Sequence, residues 1–183
     1  MSKKVLVVVD VQKDFYDPSG SLYVYGGNVL VEKIVNVLPM FDDVVFTLDW
    51  HPYNHCSFND NGGKWPVHCV AYTEGASLPN EFSSYLDGSH NVVTKGTNPA
   101  EEEYGADPNA IMLAHNENPD DVEFVFCGIA GDYCVKETVE KFRTKFPDVK
   151  VSVYVEGTIS IDGGPTLFQY MKKNNIPEWR SEE

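Results

Sequence analysis

Short apolar runs recur along the chain at Val5 to Val9, Val44 to Leu48, Asn91 to Thr94, Val122 to Cys127 and Val151 to Val155. Each has the length of a β-strand, and the hydrophobicity is continuous rather than alternating, as suits strands covered on both faces. Between the runs the apolar positions switch to helical spacing. Asn28 to Leu38 puts Val31, Ile34, Val35 and Leu38 on one stripe, and Asp132 to Phe146 puts Val135, Val139, Phe142 and Phe146 on another. Thr166 to Asn174, entered through Gly163-Gly164-Pro165, is a third helix, and Pro108 to His115 a shorter fourth. Strands alternating with helices predict right-handed crossovers. The expected architecture is a three-layer α/β/α fold on a five- or six-stranded, mainly parallel sheet, as one domain over residues 1–183. Two stretches break the rhythm. Asp49 to Phe82 is rich in Asn, Gly, Pro, His and aromatic residues, and Gly96 to Asp107 is polar and acidic. Long connections of this kind inside a compact domain are commonly functional.

Charge narrows the range of partners. Fourteen Lys and Arg against 28 Asp and Glu leave a formal charge of −14, a field that repels phosphate backbones and anionic lipid surfaces. The run Val5 to Val9 is far short of the roughly 20 apolar residues that cross a bilayer. Met1-Ser2-Lys3-Lys4 leads into it with no cleavage-site pattern, so the cytoplasm is the expected compartment. Cys56, Cys69, Cys127 and Cys134 form no C-x-x-C pair and read as reduced thiols.

In open α/β sheets the ligand crevice lies beyond the carboxyl ends of the strands. The residues just after the apolar runs are Asp10, then Asp49 and His51, then Lys95, then Gly128 through Cys134. A carboxylate, an imidazole with a second carboxylate, an amine and a thiol are thus expected to converge. Cys134 stands at a strand-to-helix turn, where backbone N–H groups and a nearby Lys95 favour the thiolate and Asp10 can carry protons. The same cysteine also fits a small buried hydrophobe, the reading given to Cys127 inside its strand. A second constellation is Asp49-Trp50-His51-Pro52-Tyr53-Asn54-His55 followed by Trp65-Pro66-Val67-His68-Cys69. Its nitrogen and oxygen donors suit Zn²⁺, Fe²⁺ or Mn²⁺. A polar loop whose histidines bond backbone carbonyls stays equally open, and a soft-metal role for Cys56 and Cys69 is the less favoured option. His90 and His115 fall outside the loop. Phe15, Trp50, Phe58, Trp65, Tyr104 and Tyr133 interleave with these groups, and an aromatic pocket beside a nucleophile suits a planar ring.

In order along the chain stand Asp10-Val11-Gln12-Lys13-Asp14-Phe15, Gly20-Ser21-Leu22, Asp49-Trp50-His51-Pro52-x-x-His55-x-Ser57-Phe58, Trp65-Pro66-x-His68-Cys69, Lys95-Gly96 and Gly128-Ile129-Ala130-x-Asp132-x-Cys134-Val135. Together they resemble the isochorismatase-like cysteine hydrolases, and within them the nicotinamidases, also called pyrazinamidases. The resemblance implies Cys134 as nucleophile, Asp10 as proton carrier and Lys95 as the cation that lowers the thiol pKa. It implies one divalent metal, zinc foremost with iron or manganese as alternatives, on Asp49, His51 and His68, and makes His55 a candidate fourth ligand. It further implies a cis peptide at Ile129-Ala130, backbone N–H groups of Ala130 and Cys134 as an oxyanion hole, and Phe15, Trp65 and Tyr104 around the ring. The expected reaction is deamidation of nicotinamide through a thioester, serving NAD salvage. Pyrazinamide as a second substrate and a homo-oligomeric assembly are left open. The competing readings are another amidase of the superfamily and a binding protein on the same fold without chemistry.

Overall fold

The computed structural model describes residues 3–115 and 122–181. Strands β1 (Lys3–Val9), β2 (Asp43–Asp49), β3 (Val92–Lys95), β4 (Val122–Ile129) and β5 (Lys150–Ile159) form one sheet in the order β3-β2-β1-β4-β5. Every neighbouring pair is parallel, so the sheet has five strands and no antiparallel member among the described residues. The helices are α1 (Lys13–Tyr16), α2 (Gly27–Val37), α3 (Pro108–His115), α4 (Lys136–Lys145) and α5 (Pro165–Lys173).

The continuous apolar runs have the burial they predict. Val5, Leu6, Val7, Val8 and Val9 of β1 are all fully buried, because alternate side chains meet a helical layer on each face. Leu6 and Val8 pack in one core with Leu30, Val31 and Ile34 of α2, while Val5, Val7 and Val9 pack in the other with Ile111 of α3, Val139 and Phe142 of α4, and Leu167 and Met171 of α5.

The differences from the sequence pattern lie at element ends. β5 continues past the expected Val155, because a register shift lets Gly128 pair with Thr158 and Ile129 with Ile159. The helix expected from Asp132 opens instead as a wide π turn, Gly131–Val135, in which Val135 N–H donates to Ala130 O at 3.0 Å, and α4 follows it. Such turns are enriched at functional sites. The C-terminal segment, which carries no periodic pattern, covers the free edge of β5: Trp179 N–H donates to Val153 O at 2.8 Å and the indole meets Phe41 and Tyr154. Covering an edge removes a template for intermolecular pairing.

Gly128 lets β4 turn beside β1. It has φ +120°, and an added Cβ would lie 2.0 Å from Val9 O. Gly128→Ala combines a backbone clash with a conformation L residues rarely adopt, so a loss of about 3 kcal/mol or more is expected. A urea unfolding midpoint within error of the native one would contradict this.

Candidate catalytic and metal-binding site

Four strand ends deliver the chemistry to one place. Asp10 follows β1, Asp49 ends β2, Lys95 ends β3 and Cys134 lies in the π turn after β4. Asp10 is held at φ +51°, with its N–H donating to Thr47 O at 3.0 Å. One carboxylate oxygen of Asp10 accepts from Thr47 Oγ1 at 2.7 Å, and the other lies 2.8 Å from Lys95 Nζ. The same ammonium lies 2.5 Å from Asp49 Oδ1 and 3.4 Å from Cys134 Sγ, and also donates to Glu103 O at 3.4 Å. Lys95 is 1% exposed and Asp10 0%, so these charges interact with little screening by water.

Burial works to lower the Lys95 pKa, but Asp10 and Asp49 outweigh it and hold the amine charged, well above its usual value. Burial raises the Asp10 carboxyl, against the pull of Lys95, and Asp49 adds to the rise. For Asp49 burial is overcome by Lys95 and the two histidines, which hold its carboxyl well below the usual range. The Cys134 thiol is under opposing influences. Lys95 does pull the thiol pKa down, yet burial exceeds that pull and Asp10 and Asp49 oppose it, so the thiol stands well above its ordinary value.

The second constellation assembles around the outer oxygen of Asp49. Asp49 Oδ2 lies 3.4 Å from His51 Nε2 and 3.8 Å from His68 Nε2, and one donor atom from each of the three residues fits within 4.8 Å of the others. His51 Nδ1 faces Gly96 O at 2.8 Å and His68 Nδ1 faces Pro66 O at 2.7 Å. Those carbonyls require the proton on Nδ1, which turns the Nε2 lone pairs toward Asp49, the arrangement by which outer partners orient metal-binding histidines. The donor set fits a divalent transition metal. Gly96 is needed for this: at φ +63° it has no Cβ, and one would fall 2.4 Å from His51 Cε1. Asp10, Asp49 and Cys134 also offer atoms within 4.8 Å of each other, but Lys95 already supplies the cation there.

His55 is held out of the cluster. Its Nδ1 bonds Ser57 Oγ at 2.7 Å and its Nε2 bonds Glu101 O at 2.9 Å, and the three clustered donor residues are Asp49, His51 and His68. It stacks on His51 at 4.0 Å and so buttresses that ring. Cys69 is fully buried with its N–H on Asp14 Oδ2, and neither it nor Cys56 joins the cluster.

Beside both groups lies a cavity of about 410 Å³, its open mouth included, lined by Phe15, Trp65, Tyr104, Tyr133, His68 and Cys134 among others. Trp65 Nε1 donates to Tyr104 Oη at 3.0 Å, which joins the loop before His68 to the loop after Lys95. Phe58 instead packs edge-on against His51 and His68, and Trp50 against Tyr72, so two of the six aromatics are scaffold. The Ile129–Ala130 peptide is cis, and Ala130 lines the same cavity.

Sequence reasoning left out several supports. Gln12 is fully buried and brackets Asp49: its Nε2 donates to Asp49 O at 2.7 Å and its Oε1 accepts from Asp49 N–H at 2.8 Å. Thr47 had a signal, a hydroxyl inside an otherwise apolar strand. Leu22, Val24, Glu102 and Ile161 also line the cavity, and no local pattern distinguishes them from other loop residues.

The chain matches the family model described as the isochorismatase domain over residues 4–164. The nicotinamidase of Saccharomyces cerevisiae is 30% identical over 93% of this chain and 94% of its own length. The nicotinamidase/pyrazinamidase of Mycobacterium tuberculosis is 33% identical over 94% of this chain and 96% of its own. Among solved structures, the pyrazinamidase of Pyrococcus horikoshii in complex with zinc superposes with a TM-score of 0.79 at 29% identity, covering 98% of this chain and 99% of that one.

Proposed function

Since this chain belongs to the isochorismatase family, among relatives that are nicotinamidases, we propose that it hydrolyses nicotinamide to nicotinate and ammonia, a step of NAD salvage. The observation that carries the reading is Lys95 in simultaneous reach of Asp10, Asp49 and Cys134, the last two of which line an aromatic-walled cavity. The site residues are Asp10, Lys95 and Cys134 for chemistry, Ala130 and Cys134 for oxyanion binding, and Phe15, Trp65 and Tyr104 around the ring.

Asp10, raised by burial, takes the proton of the Cys134 thiol as the sulfur attacks the amide carbon. Lys95 offsets the negative charge that appears on sulfur. The tetrahedral oxygen is received by the N–H groups of Ala130 and Cys134, donors already fixed by the turn after β4. Asp10 then gives its proton to the departing nitrogen, the C–N bond breaks, ammonia leaves and a thioester remains. Asp10 next deprotonates a water that attacks the thioester carbon, the C–S bond breaks and Asp10 returns the proton to Cys134. Asp49, His51 and His68 are the ligands proposed for one divalent metal, zinc foremost with iron or manganese as alternatives, which supplies a Lewis-acid anchor for the substrate when bound. Binding needs both imidazoles neutral.

Ammonia release from nicotinamide, measured before chelation, after it and after metal add-back, tests the reading. Release that falls with the metal and returns with it is expected. No release from folded, metal-loaded protein would overturn nicotinamide as the substrate. His51→Ala should lower bound metal at least tenfold by elemental analysis, and an unchanged stoichiometry would remove His51 from the ligand set.

A further inference from the structure

Glu102 is the acidic residue of the cavity that no step of the proposed reaction uses. It lies in the loop after β3, is exposed as a residue, and still lines the cavity that holds Trp65, Tyr104, Tyr133 and Cys134. Asp49 and Glu102 are the carboxylates of that lining; Asp49 is matched by Lys95 and is a ligand proposed for the metal, whereas no Lys or Arg of the lining pairs with Glu102. Lys95, behind the wall, answers Asp49 at 2.5 Å. The cationic groups that act on Glu102 are His51 and Lys95, both engaged with Asp49, and burial with Asp49 outweighs them; Lys64 and Lys141 have partners of their own. Lys64 sits 4.6 Å above the Trp65 and Tyr133 rings, and Lys141 lies 3.9 Å from Glu103 and donates to Gly105 O at 2.8 Å. Among the described residues no ion pair offsets Glu102.

Amide hydrolysis changes the charge of what the cavity holds: a neutral carboxamide enters and a carboxylate must leave. A fixed anion at the cavity is nearly indifferent to the first and repels the second. We propose that Glu102 is a specificity-determining residue that sets the preference of the cavity for the neutral carboxamide over the matching carboxylate, weakening retention of the acidic product. The proposal rests on the amidase reading above. The aromatic lining cannot supply this discrimination, because the Tyr104 and Tyr133 hydroxyls and the rings of Phe15 and Trp65 carry no net charge. Two like charges several ångströms apart in a partly solvated mouth correspond to about a three- to tenfold effect on affinity.

The test compares nicotinate with uncharged 3-(hydroxymethyl)pyridine, titrated calorimetrically into metal-loaded native, Glu102→Gln and Glu102→Lys proteins at about pH 8, chosen well above the usual carboxyl range because burial and Asp49 raise the Glu102 carboxyl. Nicotinate should bind about three- to tenfold more tightly to Glu102→Gln and more tightly again to Glu102→Lys, while the neutral pyridine shifts less than about twofold. The differences should shrink in about 1 M salt, where screening acts within about 3 Å. Unchanged nicotinate affinity, or equal shifts for both ligands, would overturn the proposal, since a merely structural role moves the two together. Ammonia release on the same samples reads the amidase function separately. A charge-dependent ratio without ammonia sinks only that function, ammonia with a flat ratio sinks only the role of Glu102, and folded protein that binds neither pyridine overturns both.

Discussion

Cys134→Ala protein should release ammonia from nicotinamide on the order of 10⁴-fold more slowly than the native chain, while staying folded and still binding metal and ligand. The size follows from the role: removing the nucleophile of a group that acts as a unit eliminates the covalent route, and only binding and oxyanion stabilisation remain. The fold should tolerate the change. Cys134 is 6% exposed and packs at the edge of the core formed by α4, where alanine leaves a small gap and no unpaired charge. Cys134→Ser is the more demanding variant, because a hydroxyl of nearly the same size restores shape but not a proton Asp10 can readily take. Steady-state ammonia release, with thermal melts on the same samples, measures both. Activity of either variant within tenfold of native would remove Cys134 from the mechanism and favour a binding protein or a different nucleophile.

Lys95→Met should lose both activity and stability, the latter by about 3 to 5 kcal/mol. Lys95 is 1% exposed and lies 2.8 Å from Asp10 and 2.5 Å from Asp49, so its removal leaves two buried carboxylates facing each other without a cation. The loss comes mainly from those stranded charges rather than from the missing methylene contacts, since methionine has similar bulk. A double-mutant cycle separates the two causes: adding Asp10→Asn to Lys95→Met should recover part of the stability, although Asp10→Asn alone in the native background should lower it. Chemical denaturation of the four proteins provides the measurement. Additive effects would mean that Lys95 contributes packing and not charge compensation.

The convergence of Asp10, Asp49, Lys95 and Cys134 was legible because it follows from one rule of parallel sheets. Asp10, Asp49, Lys95 and the segment to Cys134 each sit directly after an apolar run, and such runs end at the same side of the sheet. The Asp49, His51 and His68 grouping was legible as donor chemistry but not as geometry. His51 and His55 stand in the same loop with the same ring, yet only His51 points an unoccupied nitrogen at Asp49, because Gly96 O holds its Nδ1 while Ser57 and Glu101 occupy both nitrogens of His55. Nothing local to either residue encodes that difference, since the partners lie on the loop after β3.

Periodicity and strand-end chemistry, both local properties, therefore determined the layer architecture, the parallel sheet and which titratable side chains meet at one end of it. Side-chain spacing reports which face is buried, and residue type reports which atoms can carry protons or ligate. Three things were decided only by tertiary structure: the five-strand order, the ring orientations in the histidine loop and the electrostatic state of the thiol. The last is the clearest. Lys95 draws the Cys134 thiol toward ionisation, as a lysine near a helix start leads one to expect, while burial first, then Asp10 and Asp49, push its pKa upward. Electrostatic balance depends on every charge within a few ångströms and on the water excluded between them, and the charged neighbours of Cys134 come from the ends of three other strands.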